Sequence, residues 1–134
     1  MQVLIDTNVV LDVLLNRVPF VENAVAVLKR CENDLQGFVS AAAITDIYYI
    51  AYRELRDRTK VKDLIKRLLQ VLHVVNVSES EIYAALESDW TDFEDCVQNA
   101  IAENHGFDAI ITRNPADYKK SSLKIVLPSA INTL

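Results

Sequence analysis

Short apolar blocks that stop abruptly alternate along the chain with stretches whose apolar residues recur every three or four positions. Val3-Leu4-Ile5 is a block of the first kind and stops at Asp6, the pattern of a buried strand in a parallel sheet. Val9, Val10, Val13 and Leu14 follow at helical spacing until Pro19 interrupts them, and Phe20, Ala24, Val27 and Leu28 predict a second helix ending near Asn33. Gly37-Phe38-Val39 predicts a brief strand. Ser40 is placed to cap a helix reaching to about Arg58, and Thr59 to cap the next, whose stripe is Val61, Leu64, Ile65, Leu68 and Leu69. The valine-rich run Leu72 to Val77 predicts a strand and Glu79 to Ser88 a helix. Phe93 to Asn104 predicts another helix, with Phe93, Val97, Ala100 and Ile101 facing inward. After a stop at Gly106, Ala109 to Thr112 predicts a strand, and Lys124 to Leu127 a final one before a short helix or tail. Strands alternating with helices imply an α/β fold around a parallel sheet. No linker divides residues 1–134, so one domain is expected.

Composition adds little until charge is placed on this pattern. The net charge is −5, yet seven of the 14 basic residues lie between Arg53 and Arg67, and none occurs from Leu68 to Thr112. Nine acids accumulate in that second stretch: Glu79, Glu81, Glu87, Asp89, Asp92, Glu94, Asp95, Glu103 and Asp108. The segregation suits a phosphate-attracting ridge beside a cation-attracting pocket, or, more simply, solvated helix faces. The chain opens without a basic lead or a long apolar core, and the nearly uncharged stretch Phe38 to Tyr52 is too short to span a bilayer, so a cytoplasmic protein that avoids the membrane is expected. Cys31 and Cys96 lack metal-ligand spacing and read as reduced thiols, and His73 and His105 have no ligand-like partners.

The acids at element boundaries carry the candidate chemistry. In open α/β sheets ligands bind beyond the carboxyl ends of the strands, where Asp6 and the Thr112-Arg113-Asn114 segment fall. Asp6 could equally be a helix cap. Asp46 is the one charge between Ala41 and Tyr52, with Ala42, Ala43, Tyr49 and Ile50 as its helical neighbours and no basic residue within a turn. Such a carboxylate either binds a cation or lies exposed at a helix edge. Asp92, Asp95 and Asn99 share one helix face, where Asp92 could be a cap and Asp95 a first-turn acid. If Asp6, Asp46 and Asp95 converge, their mutual repulsion calls for a cation, and hard oxygen donors favour magnesium or manganese.

Three segments in this order resemble the signature stretches of PIN domains: Leu4-Ile5-Asp6-Thr7-Asn8-Val9-Val10-Leu11-Asp12, Asp92-Phe93-Glu94-Asp95-Cys96-Val97-Gln98, and Ile111-Thr112-Arg113-Asn114-Pro115-Ala116-Asp117-Tyr118. The chain resembles in outline the small prokaryotic PIN proteins, among them VapC-like ribonuclease toxins of toxin–antitoxin pairs. The resemblance implies a three-layer α/β/α fold and divalent-metal-dependent RNA cleavage, with Asp6, Asp46 and Asp95 as metal acids and catalytic residues. It places Asn8 and Thr112 in support of the site and Asp12, on the first helix, in a structural role. The fourth acidic position of many members falls on Asn114, with Asp117 three residues on, so either helps orient the leaving side and Asp117 is the candidate for a second ion. Basic residues from Arg53 to Arg67, with Arg113 and Lys119, are the candidates for holding the RNA backbone. A homodimer and an antitoxin partner are implied as well.

Two other readings fit parts of the chain. A catalytically silent PIN module that binds RNA or protein would retain the fold but bind manganese poorly. A haloacid-dehalogenase-like phosphatase also ends its first strand on Asp, but requires a second Asp where Asn8 stands.

Overall fold

The computed structural model describes residues 1–134. Its centre is β1 (Gln2–Ile5), in which Val3, Leu4 and Ile5 are fully buried. In chain order there follow α1 (Thr7–Leu14), α2 (Val21–Asn33), β2 (Gln36–Ser40), α3 (Ala41–Leu55) and α4 (Arg58–Leu68). The second half is β3 (His73–Val75), α5 (Glu79–Leu86), α6 (Phe93–Asn104), β4 (Ala109–Ile111) and β5 (Lys124–Val126), with 3₁₀ helices at Pro115–Tyr118 and Pro128–Thr133. All strand pairings are parallel, in the order β3-β2-β1-β4-β5.

Alternation along β1 sorts the helices into two layers. Val3 and Ile5 pack with residues of α1 to α4, including Val9, Val27, Ala43, Ile47 and Leu68. Leu4 points to the other face, against Ala85 of α5 and Val97, Ile101 and Ala102 of α6. Ala109 and Ile111 join the first set and Ile110 the second, so β4 repeats the alternation of β1 in register, with Ile5 opposite Ile111. The expected three-layer α/β/α fold with a central parallel sheet is what forms. Gly37 permits close packing of α2 on β2, since a Cβ there would stand 2.6 Å from both Cys31 Sγ and Leu72 Cδ2.

Three local expectations are corrected. Asp57, not Thr59, caps α4, its carboxylate accepting from the Lys60 N–H at 3.1 Å. The preceding helix accordingly stops at Leu55, with Arg56 in the left-handed region at φ 57°. Phe93 does not face inward but is 47% exposed, because the buried face of α6 is formed by Cys96, Val97, Ile101 and Ala102. Elsewhere the local signals hold. Ser40 caps α3 through the Ala43 N–H at 3.2 Å, and Gly106 ends the chain path of α6 at φ +67°. Both cysteines are free thiols, and burial pushes that of Cys31 up to about 11. No helix is long and apolar enough to cross a membrane.

Candidate active site

The sheet order reverses direction beside β1: the chain moves from β1 outward to β2 and β3, then returns to place β4 on the other flank. A crevice at the carboxyl ends of β1 and β4 follows from that topology. Asp6 and Thr112 are the first residues past those two strands, and the Asp6 N–H donates to the Ile111 carbonyl at 2.9 Å.

Asp6 is buried and held on both carboxylate oxygens. Its Oδ1 accepts from the Thr7 N–H at 2.7 Å, which caps α1, and from Gln98 Nε2 at 2.7 Å. Its Oδ2 accepts from the Thr112 hydroxyl at 2.8 Å. Asp6 is therefore both a helix cap and a member of the crevice, and Thr112 braces it. Gln98 Nε2 also donates to the Tyr118 hydroxyl at 3.1 Å, and that hydroxyl donates to Asp95 Oδ1 at 3.2 Å. A chain of hydrogen bonds thus joins the ends of β1 and β4, the first two turns of α6 and the 3₁₀ helix after β4.

Asp95 is half-buried, and its carboxyl is pushed up to about 7 by burial first, then by Asp6 and Asp92, with Asp117 adding repulsion against the Tyr118 hydrogen bond. Asp92 is the α6 cap, accepting from the Asp95 N–H at 2.9 Å. Glu94 sits in the quoted second segment without having been assigned a role. Although the residue as a whole is exposed, its surroundings desolvate the carboxyl and raise its affinity for a proton, with Asp46, Asp6 and Asp92 adding to the effect. Asp46 lies exposed on α3. It faces a cavity shared with Glu94, Thr7, Tyr49 and Arg53.

Asp117 is exposed but near enough to act on Asp95. Asn114 is exposed, and its N–H donates to Thr112 Oγ1 at 3.1 Å. The Asn8 side chain accepts from the Arg113 N–H at 3.3 Å, steadying the segment that follows Thr112. Arg113 is engaged within the protein. Its guanidinium bonds to Asp12 at 2.7 and 3.1 Å and lies over the Phe20 ring, 4.0 Å from its centroid. Asp12, 1% exposed, is the structural residue that its place on α1 implied. Gln98 and Tyr118 were missed because neither side chain is charged, and only the packed fold aims them at Asp6 and Asp95. Glu94 was legible as an acid within the segment.

The donor chemistry of the crevice fits a hard divalent cation. Asp6, Asp46, Glu94, Asp95 and Asp117 take part in no salt bridge, and two buried oxygens beside them, Thr7 Oγ1 and Gln98 Oε1, have no hydrogen-bond partner. No three acidic side chains are arranged to hold one ion as they stand.

No curated protein sequence matches the chain. Among solved structures it is similar to VapBC2 from Rickettsia felis bound to a DNA fragment from their promoter, with 13% identity and a TM-score of 0.73 over 95% of this chain and 98% of that one. FitAcB from Neisseria gonorrhoeae gives 22% identity and a TM-score of 0.69 over 94% and 97%. The Mycobacterium tuberculosis toxin VapC20, which cleaves the sarcin–ricin loop, gives 16% and 0.65 over 81% and 86%. These likenesses establish the fold. The PIN domain family model matches residues 2–116, nearly all of the sheet and every acid of the crevice but Asp117, and the chain therefore belongs to the PIN-domain family.

Proposed function

We propose that this protein is a divalent-metal-dependent ribonuclease that hydrolyses RNA phosphodiester bonds, with residues 1–134 acting as one domain. The observation that carries the reading is the set of carboxylates at the carboxyl end of the sheet that make no salt bridge, Asp6, Asp46, Glu94, Asp95 and Asp117, among which Asp95 is pushed up to about 7 by burial first and then by Asp6, Asp92 and Asp117. An arrangement that unfavourable is relieved by a cation.

Asp6 and Asp95 would hold magnesium or manganese, with Asp46 and Glu94 completing the donor set and Asp117, three residues past Asn114, the candidate for a second ion. When bound, the ion supplies an activated water and neutralises charge on the departing oxygen. Thr112, Gln98 and Tyr118 fix the carboxylates of Asp6 and Asp95 in direction. Asn114 stands where its amide can orient the leaving side. Arg53, on the rim with Asp46 and Glu94, and Lys119, near Asp117, meet the RNA phosphates.

The toxin–antitoxin complexes among the structural relatives support a role as the toxin of such a pair, with an antitoxin partner; a homodimer is what the family resemblance implies. A silent binding module is the second reading, and what favours it is that no three acids are gathered around a point. Cleavage of varied RNAs by the purified protein, in manganese, in magnesium and in chelator, separates them. Metal-dependent cleavage that an Asp95→Asn variant loses supports the nuclease. Failure to cleave, together with no detectable manganese binding, overturns it in favour of the module.

A further inference from the structure

A cavity of about 360 Å³ opens between the loop before α6 and the 3₁₀ helix Pro115–Tyr118, beside the acid crevice. Its walls include Trp90, Thr91, Asp92, Asp117, Lys119 and Lys120. Asp92 and Asp117 belong to both places, since each acts on Asp95 while lining the cavity. Trp90, partly exposed, stands edge-on against Tyr118, with ring centroids 6.0 Å apart at 78°, and the Tyr118 hydroxyl is the one that donates to Asp95. The cavity is therefore one aromatic ring away from a residue of the crevice.

Its two lysines differ. Lys120 is committed, its Nζ lying 3.1 Å from the Asp89 carbonyl and 3.0 Å from the Asp89 carboxylate. Lys119 is exposed and has no carboxylate partner. An indole wall and one uncommitted ammonium are the two elements with which proteins hold an unpaired nucleotide: the base stacks and the cation meets the phosphate. The volume lies at the lower end of small-ligand cavities, about 300–1,000 Å³, a size suited to one nucleotide. Asp92 and Asp117 repel phosphate, so the backbone is directed to the Lys119 side.

We propose that this cavity is the subsite for one unpaired nucleotide of the RNA next to the bond that is cut, with Trp90 and Lys119 as positioning residues. The proposal rests on the nuclease reading and adds that the substrate is single-stranded at this position.

Trp90 is the only tryptophan in the chain, so its fluorescence reports on the cavity alone. The test is a titration of the protein, in chelator, with a six-nucleotide oligouridylate, following Trp90 emission beside the anisotropy of the same RNA carrying a dye. Emission should quench in step with anisotropy, and the oligonucleotide annealed to its complement should not quench it. By anisotropy, Trp90→Ala should weaken binding about 5- to 150-fold, the range for one stacked base, and Trp90→Phe should restore most of it. Lys119→Ala, an exposed change that leaves the fold intact, should weaken binding and lower the salt slope by about one. Binding without quenching, and unchanged by Lys119→Ala, overturns the subsite and leaves the nuclease reading untouched. Absence of binding overturns the subsite too, and metal-dependent cleavage then decides the nuclease reading separately.

Discussion

The Tyr118 hydroxyl donates to Asp95 Oδ1 at 3.2 Å, which ties the 3₁₀ helix after β4 to the first turn of α6. Tyr118 is 1% exposed, and its own proton is held more firmly than usual by burial first and then by the charges of Asp6 and Asp95. The phenol is thus a fixed donor. Tyr118→Phe removes it and deprives Gln98 of an acceptor, at a cost of about 1–2 kcal/mol in stability. Because that hydrogen bond lowers the Asp95 value, its loss should move the carboxyl further above 7 and weaken manganese binding at neutral pH. Chemical denaturation and a manganese titration of the variant check both parts.

Asp95 should also give the metal-free protein an unusual pH dependence. Its folded value, about 7, lies above the ordinary 3.8, so its contribution is fully present below about pH 4 and is lost as pH rises through 7. Asp95→Asn cannot ionise and should be more stable than the parent in chelator at pH 8, with the difference shrinking toward pH 5. Urea midpoints at the two pH values test this. A variant less stable by the same margin at both would show that Asp95 is not under repulsion.

Glu81 has the opposite sign. Burial alone would raise its value, but the Ser78 N–H at 2.9 Å, Asn104 Nδ2 at 2.8 Å and the Ser78 hydroxyl at 2.7 Å outweigh it and hold the carboxyl below its usual 4.5. Its stabilisation is therefore present above about pH 4.5 and lost as pH falls through the lower folded value. Glu81→Gln should cost about 1–2 kcal/mol at pH 7, by loss of the α5 cap and the tie to α6, and much less at pH 3. Thermal unfolding across that range is the check.

Asp12 and Arg113 form the firm pair beneath the segment that carries Thr112 and Asn114. Asp12→Asn leaves a guanidinium over Phe20 without its counter-charge and should destabilise by roughly 3 kcal/mol. Lys119 makes no such pair, so Lys119→Ala should weaken RNA binding without a comparable loss of stability. Denaturation midpoints and RNA anisotropy, measured on both variants, separate the two roles.

The sequence shows the strands and the acids that end them, because an apolar run that stops at a carboxylate can be read without tertiary information. Asp6 and Thr112 follow from that logic and Asp95 from its helix face, each together with family resemblance. What depends on rotation of a helix about its axis is not legible in the same way. Phe93 and Glu94 fall on the side of α6 set by the packing of Val97 and Ile101, and Gln98 meets Asp6 only because β1 and α6 pack across 92 residues of sequence. That Arg113 pairs with Asp12, 101 residues away, is likewise visible only in the packed fold. Asp46 is isolated among apolar neighbours in the sequence, yet α3 turns it outward to face Glu94.

The central claim is that these carboxylates form one cation site. A manganese titration by calorimetry, on the parent protein and on Asp95→Asn at pH 7.5, tests it most directly. The predicted result is saturable binding by the parent, weakened at least tenfold in the variant. Equal binding by both, or none by either, would contradict it.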